Sequence, residues 1–144
     1  MNAEVARRAG SATDVEIRLH PIPTPDAKPY IIVVGPDGAL WFCESGAAKI
    51  GRLDPDSAAF AEFATPTPDA SLRGVTVAPD GDLWFTENFA NKIGRMAPDG
   101  RVLGEYAIPG KNCGARAIIA APDGRLFFSA HDAGAIGEVI PRGR

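Results

Sequence analysis

The chain has 144 residues, a formal net charge of −3 and a hydrophobic fraction of 45%, enough apolar material to fill a core. This charge offers no basic footprint, so neither nucleic acid nor an anionic membrane is an expected partner. Residues 1–13 hold no apolar run fit for a signal-peptide core, and no later segment approaches the ~18 apolar residues of a spanning helix, so the expectation is a soluble cytoplasmic protein.

In chain order, residues 1–13 are small, polar and aperiodic and read as a flexible tail. Residues 14–22 then alternate apolar and polar through Val15-Glu16-Ile17-Arg18-Leu19-His20, a strand signal, and a proline loop through Pro21, Pro23 and Pro25 ends it. Beyond that loop the chain repeats itself. Asp80-Gly81-Asp82-Leu83-Trp84-Phe85-Thr86-Glu87, closed by Lys92-Ile93-Gly94-Arg95, has an earlier copy from Asp37 to Glu44 with Lys49 to Arg52. A later copy runs from Asp123 to Ala130 with Ala135 to Glu138. The Pro-Asp-Gly prolines stand at Pro36, Pro79 and Pro122, a spacing of 43 residues twice over. Periods of ~40–45 with several short strands per unit mark propeller blades.

Each full unit reads as four strands. In the second they are residues 73–77, 82–86, 92–96 and 101–107, joined by turns at Pro79-Asp80-Gly81 and Pro98-Asp99-Gly100, where glycine supplies positive φ. No stretch keeps a helical apolar period, so the fold is expected to be all-β with next to no helix. The third unit supplies three strands, residues 116–120, 125–129 and 135–140, and the strand it lacks matches residues 14–22, because residues 62–70 repeat residues 19–27. The domain reading is therefore a tail (1–13) and a three-blade unit (14–144) with repeats at about 29–71, 72–114 and 115–144. Three blades leave bare sheet edges and faces, so the expected assembly is a homodimer by strand exchange: a six-bladed propeller in which residues 14–22 complete the partner's last blade. The opening Met and the balanced strand count favour that; the alternative is one part of a longer propeller.

Residues 79–95 and 66–70 resemble the streptogramin lyase family, the virginiamycin B lyase type of β-propeller, whose blades repeat Pro-Asp-Gly-x-Leu-Trp-Phe-Thr-Glu and Pro-x-Pro-Thr-Pro-Asp-Ala stretches; the resemblance covers about residues 15–140. It implies an antibiotic-resistance enzyme that opens a cyclic depsipeptide by magnesium-assisted elimination across an ester, a basic group removing the proton beside the ester carbonyl. The family sets its essential histidines at the start of an innermost strand, in a Pro-His-x-Ile context, on a single chain with seven blades. The matching positions here are Tyr30, Arg73 and Arg116, and none is histidine.

The candidate site rests on those positions. Tyr30, Arg73 and Arg116, with Asn88, are expected to line the channel mouth and bind a small-molecule or acidic ligand, arginine holding carboxylate or phosphate through paired hydrogen bonds. His131 and Asp132 stand where the other units read Ser45-Gly46 and Asn88-Phe89, so blade geometry does not require them; they suit a general base and its orienting acid. Glu44 and Glu87 are the candidate oxygen ligands for magnesium, or partners of Lys49 and Lys92. Lys49, Arg52, Lys92 and Arg95 read as surface charge, His20 as an interface or rim residue, and Cys43 and Cys113 as free thiols with no framework to form. Two functions fit: a carbon–oxygen lyase of the streptogramin type with His131 as base, or a non-catalytic propeller that binds a ligand or protein through the same mouth.

Overall fold

The structure is a computed structural model, and it describes residues 4–5 and 14–143. The residues expected to form a flexible tail lie outside it, apart from Glu4 and Val5. Those form β1 (Glu4–Val5), paired with β2 (Arg18–Leu19). The repeat then folds as expected. The first sheet is β3 (Pro29–Val34), β4 (Leu40–Glu44), β5 (Lys49–Leu53) and β6 (Phe60–Ala64). The second is β7 (Leu72–Val77), β8 (Leu83–Glu87), β9 (Lys92–Met96) and β10 (Val102–Ala107). The third has three strands among the described residues, β11 (Ala115–Ala120), β12 (Leu126–Ala130) and β13 (Ala135–Val139). Every sheet is an antiparallel meander in sequence order, the described residues include no helix, and no helix is long and apolar enough to cross a membrane. These are three blades of a β-propeller. Residues 14–22, read as one strand, carry regular pairing only at Arg18–Leu19.

Composition decides how the blades stack. The second strand of each blade carries large side chains on both faces. Trp41 and Cys43 look one way into a core with Leu72, Val75, Leu83, Phe85 and Met96; Trp84 looks the same way into a second core with Ala115, Ile118, Leu126 and Phe128. The innermost strands β3, β7 and β11 lie side by side.

One feature of the repeat is explained only by packing. Each Ile-Gly pair in the third strand places its glycine under the phenylalanine of the second strand: Phe42 over Gly51, Phe85 over Gly94 and Phe128 over Gly137, where a Cβ would run into the ring. The glycine is thus a slot for the ring, and a methyl group there forces the core apart. Gly94→Ala is expected to lower stability by about 1–3 kcal/mol in thermal or denaturant unfolding, with no regain from the higher strand propensity of alanine.

Candidate functional site

The three innermost strands begin in the same unusual way. A residue in the left-handed region precedes each strand, Lys28 (φ 50°), Ser71 (φ 55°) and Gly114 (φ 72°). Pairing with the second strand then slips between Pro29 and Ile32, between Leu72 and Val75, and between Ala115 and Ile118. Each slip is a β-bulge, and Tyr30, Arg73 and Arg116 sit on it. Bulges re-aim side chains at rims and active sites, and this one recurs in every blade, so the three side chains gather at one end with the loops that follow β4, β8 and β12.

Arg73 is held from three sides. Its Nε donates to Ser71 Oγ at 3.0 Å, and its guanidinium lies 5.5 Å from the Tyr30 ring centre and 5.8 Å from that of Phe89. A cation between two aromatic faces keeps its charge while its rotamers are restricted. Phe89, 70% exposed, is the site residue that sequence reasoning missed. Its signal was present: the equivalent loop positions are Gly46 and Asp132, so an aromatic there serves no repeated purpose.

In the third blade His131 Nδ1 and Asp132 Oδ1 lie 2.9 Å apart, both side chains exposed. Gly114 lets them approach, since a Cβ there would stand 2.5 Å from Asp132 Oδ2. The hydrogen bond with His131 holds the Asp132 carboxyl below the usual range against a small cost of burial, and the charges of His131 and Arg116 add to it. Arg116 therefore belongs to the same cluster; its Nε is buried without a partner. Asn88, expected among the ligand-binding groups, is engaged elsewhere, its Nδ2 donating to the Ala115 carbonyl at 2.8 Å and tying the second blade to the third.

Glu44 and Glu87 were expected at the mouth, and here the structure differs. Both are fully buried, and no hydrogen-bond partner reaches either carboxyl oxygen of either residue. Burial, followed by the neighbouring carboxyl of Glu62 or Glu105, pushes each up to about 8, while Lys49 or Lys92 pulls the other way. Burial also opposes charge on Glu62 and Glu105, yet the neighbouring Glu44 or Glu87 carboxyl and the hydroxyl of Thr24 or Thr67 hold those two below the usual range, with Lys49 and Lys92 helping. Each of the first two blades thus contains two neighbouring carboxyls, the buried one favouring its proton and the other its charge, flanked by a lysine that bonds Thr24 at 2.9 Å or Thr67 at 3.3 Å. The repeat showed both glutamates; it could not show that the second strand turns them inward.

Arg95 is likewise a correction. It is buried, with Nε 2.9 Å from Asp82 Oδ2, NH2 3.1 Å from Asp80 Oδ2, and its guanidinium 4.6 Å from the Trp84 ring centre. It walls a cavity of about 430 Å³ at the opposite end of the blades, away from His131. Lys49, Arg52 and Lys92 are half-buried in similar pairings, not free surface charge. Cys43 and Cys113 are free and buried, and burial raises the Cys43 thiol.

A propeller blade stack with a bulged, polar mouth is the class these observations define. Residues 2–144 match the model of the Virginiamycin B lyase family, and the chain belongs to that family. Virginiamycin B lyase of Saccharopolyspora erythraea is 51% identical over 45 residues, 31% of this chain and 15% of that one. Selenomethionine-substituted virginiamycin B lyase from Staphylococcus aureus superposes with a TM-score of 0.75 at 35% identity, over 86% of this chain and 44% of that one. A catalytically inactive histidine-to-alanine variant of the Staphylococcus aureus enzyme, with quinupristin, gives 0.74 at 32% identity over 90% and 46%. The chain thus spans less than half the length of these relatives.

The carboxyl pairs make stability depend on pH. Glu87 holds its proton more tightly folded than unfolded, so its contribution is complete below the ordinary value of 4.5 and lost as pH rises through about 8. Glu105, displaced downward, contributes in the opposite sense at lower pH. The melting temperature is expected to fall by a few degrees between roughly pH 5 and 8, and combining Glu44→Gln with Glu87→Gln is expected to flatten that slope in melts across the range.

Proposed function

We propose that the chain forms a streptogramin-lyase-type propeller mouth that takes a cyclic ester or depsipeptide, with His131 as general base. The observation that carries this reading is the 2.9 Å contact of His131 Nδ1 with an Asp132 held ionised beside Arg116. With the proton on Nδ1 donated to Asp132, Nε2 keeps its lone pair and faces outward as a base. His131 Nε2 takes the proton from a carbon beside a carbonyl; the released electron pair becomes a carbon–carbon double bond as the neighbouring alkyl carbon–oxygen bond of the ester breaks. The departing carboxylate is received by Arg116 or Arg73. Aromatic faces at Tyr30 and Phe89 suit the apolar side of a cyclic peptide. Family membership and the likeness to a lyase with quinupristin support the substrate class, and ring opening would confer resistance to such an antibiotic.

Glu44 and Glu87 do not fit the magnesium ion that the family implies: their carboxyls are sealed from solvent, and burial beside a second glutamate favours their protonated form. Among the described residues no cluster of three metal-binding side chains occurs. The steps above use only side chains of this chain. A cytoplasmic setting is part of the proposal, supported by the two free thiols.

A second reading, a binding module without turnover, is favoured by one observation: the strand-start positions where the family sets histidines hold Tyr30, Arg73 and Arg116. Incubation with a streptogramin B, with and without magnesium, decides between them. Wild type is expected to open the ring, with His131→Ala slower by about 10²–10⁴-fold and Asp132→Asn slower by a smaller factor. Binding of the intact antibiotic without ring opening, unchanged in His131→Ala, supports the second reading.

A further inference from the structure

The pair of neighbouring carboxyls is absent from the third blade, and the residues that replace it point to what completes that blade. In the first blade its members are Glu44 on β4, Lys49 on β5, Glu62 on β6 and Thr24 from the preceding loop; in the second they are Glu87, Lys92, Glu105 and Thr67. The equivalent positions of the third blade read Ala130, Ala135 and Gly110, every polar member replaced by a small or apolar one. The fourth position, on the outermost strand, has no residue in the third sheet. The residue 43 places before Glu62 is Leu19. Leucine is apolar in the same way as its would-be neighbours. A glutamate there would be buried against Ala130 and Ala135 with nothing to share its proton, and a leucine in either other blade would leave Glu44 or Glu87 alone.

Charge repeats the match. Outer-strand pairing sets Gly51 opposite Glu62 and Arg52 opposite Ala61 in the first blade, and Gly94 opposite Glu105 and Arg95 opposite Gly104 in the second. Carried to the third sheet, this register sets Gly137 opposite Leu19, Ile136 opposite His20 and Glu138 opposite Arg18. Only the third blade has an acid at that place, and only residues 14–22 have a base across from it; against Arg52 or Arg95 the same arginine would meet a like charge.

We infer that the open edge of β13 takes residues 17–21 of a second copy of this chain, in the register Gly137 to Leu19 and Glu138 to Arg18. Residues 14–22 of the same chain do not reach that edge. Residues 14–22 run directly into β3, at the far end of an arc whose first sheet touches the second and whose second touches the third. The ends of that arc carry matching faces. At one, His20, Ile22, Tyr30, Ile32, Phe42 and Phe60 border an apolar hollow of about 390 Å³, and Ile32 is 58% exposed where its equivalent Val75 is 0%. At the other, Ile136 is 73% exposed where Ile93 is 2%. Two arcs set end to end bury both faces twice in a six-bladed ring, and each brings its Tyr30 beside the other's Arg116, as Tyr30 stands beside Arg73 within one chain. This inference does not rest on the ligand or the reaction proposed above.

The test is the oligomeric state of the whole chain by sedimentation and light scattering at micromolar concentration. A folded dimer is expected, weakened several-fold to roughly tenfold by Arg18→Glu, recovered when Glu138→Arg is added, and weakened about a hundredfold by Leu19→Glu, which buries an unpaired carboxylate. His20→Cys with Ile136→Cys is expected to give a disulfide between two chains on a non-reducing gel. A folded monomer, a dimer indifferent to Arg18 and Leu19, or a bridge closing within one chain would overturn the inference.

Discussion

A blade of this protein is apolar on both faces. Its second strand sends tryptophan or phenylalanine to both sides of a four-stranded sheet, so each sheet is stable only while another covers it. The two cores are accordingly joints between neighbours, one between the first and second sheets and one between the second and third. Everything else is subordinate to those joints. The glycine of each third strand exists to admit a ring, the left-handed residue before each inner strand aims that strand at the axis, and the bulge after it turns one side chain out of the packed layer toward the mouth.

That subordination explains which features could be read from the sequence. Spacing, turn chemistry and alternation determine strands directly, and the Pro-Asp-Gly turns and the Leu-Trp-Phe runs placed all but the ends of β3 to β13. Burial depends on which way a strand faces, and a repeat shows identity without orientation. Glu44 and Glu87 look like acids at a rim because they are charged and follow an apolar run; they are buried because the pleat turns them onto a sheet face, beside Glu62 and Glu105. Arg95 misleads for the same reason. Its partners Asp80 and Asp82 lie on the far side of β8, and their convergence with the Trp84 ring takes the guanidinium out of water. Residues 14–22 alternate like a strand, but alternation says nothing about which sheet will receive them.

The candidate site was legible where it departs from the repeat and illegible where it conforms to it. His131 and Asp132 stood out because no other blade has them, and the structure brings them together with Arg116. Phe89 departs from the repeat as clearly, yet an apolar loop residue announces no chemistry until Arg73 is seen between it and Tyr30. Asn88 sits in the right loop, but its amide is spent on holding two blades together. The mouth is therefore built from substitutions laid on a copied scaffold, and its polar groups divide into those that the scaffold consumes and those it leaves available.

The two joints are not mechanically alike. Thr86 Oγ1 accepts from the Gly74 amide at 2.8 Å and donates to the Arg116 carbonyl at 2.7 Å, so the second and third sheets are pinned by directional bonds across their seam. Cys43 fills that place in the first sheet and offers only a greasy contact. The seam beside Tyr30 is thus held by apolar packing through Cys43, whereas the seam that joins Arg73 to Arg116 and His131 carries directional bonds through Thr86.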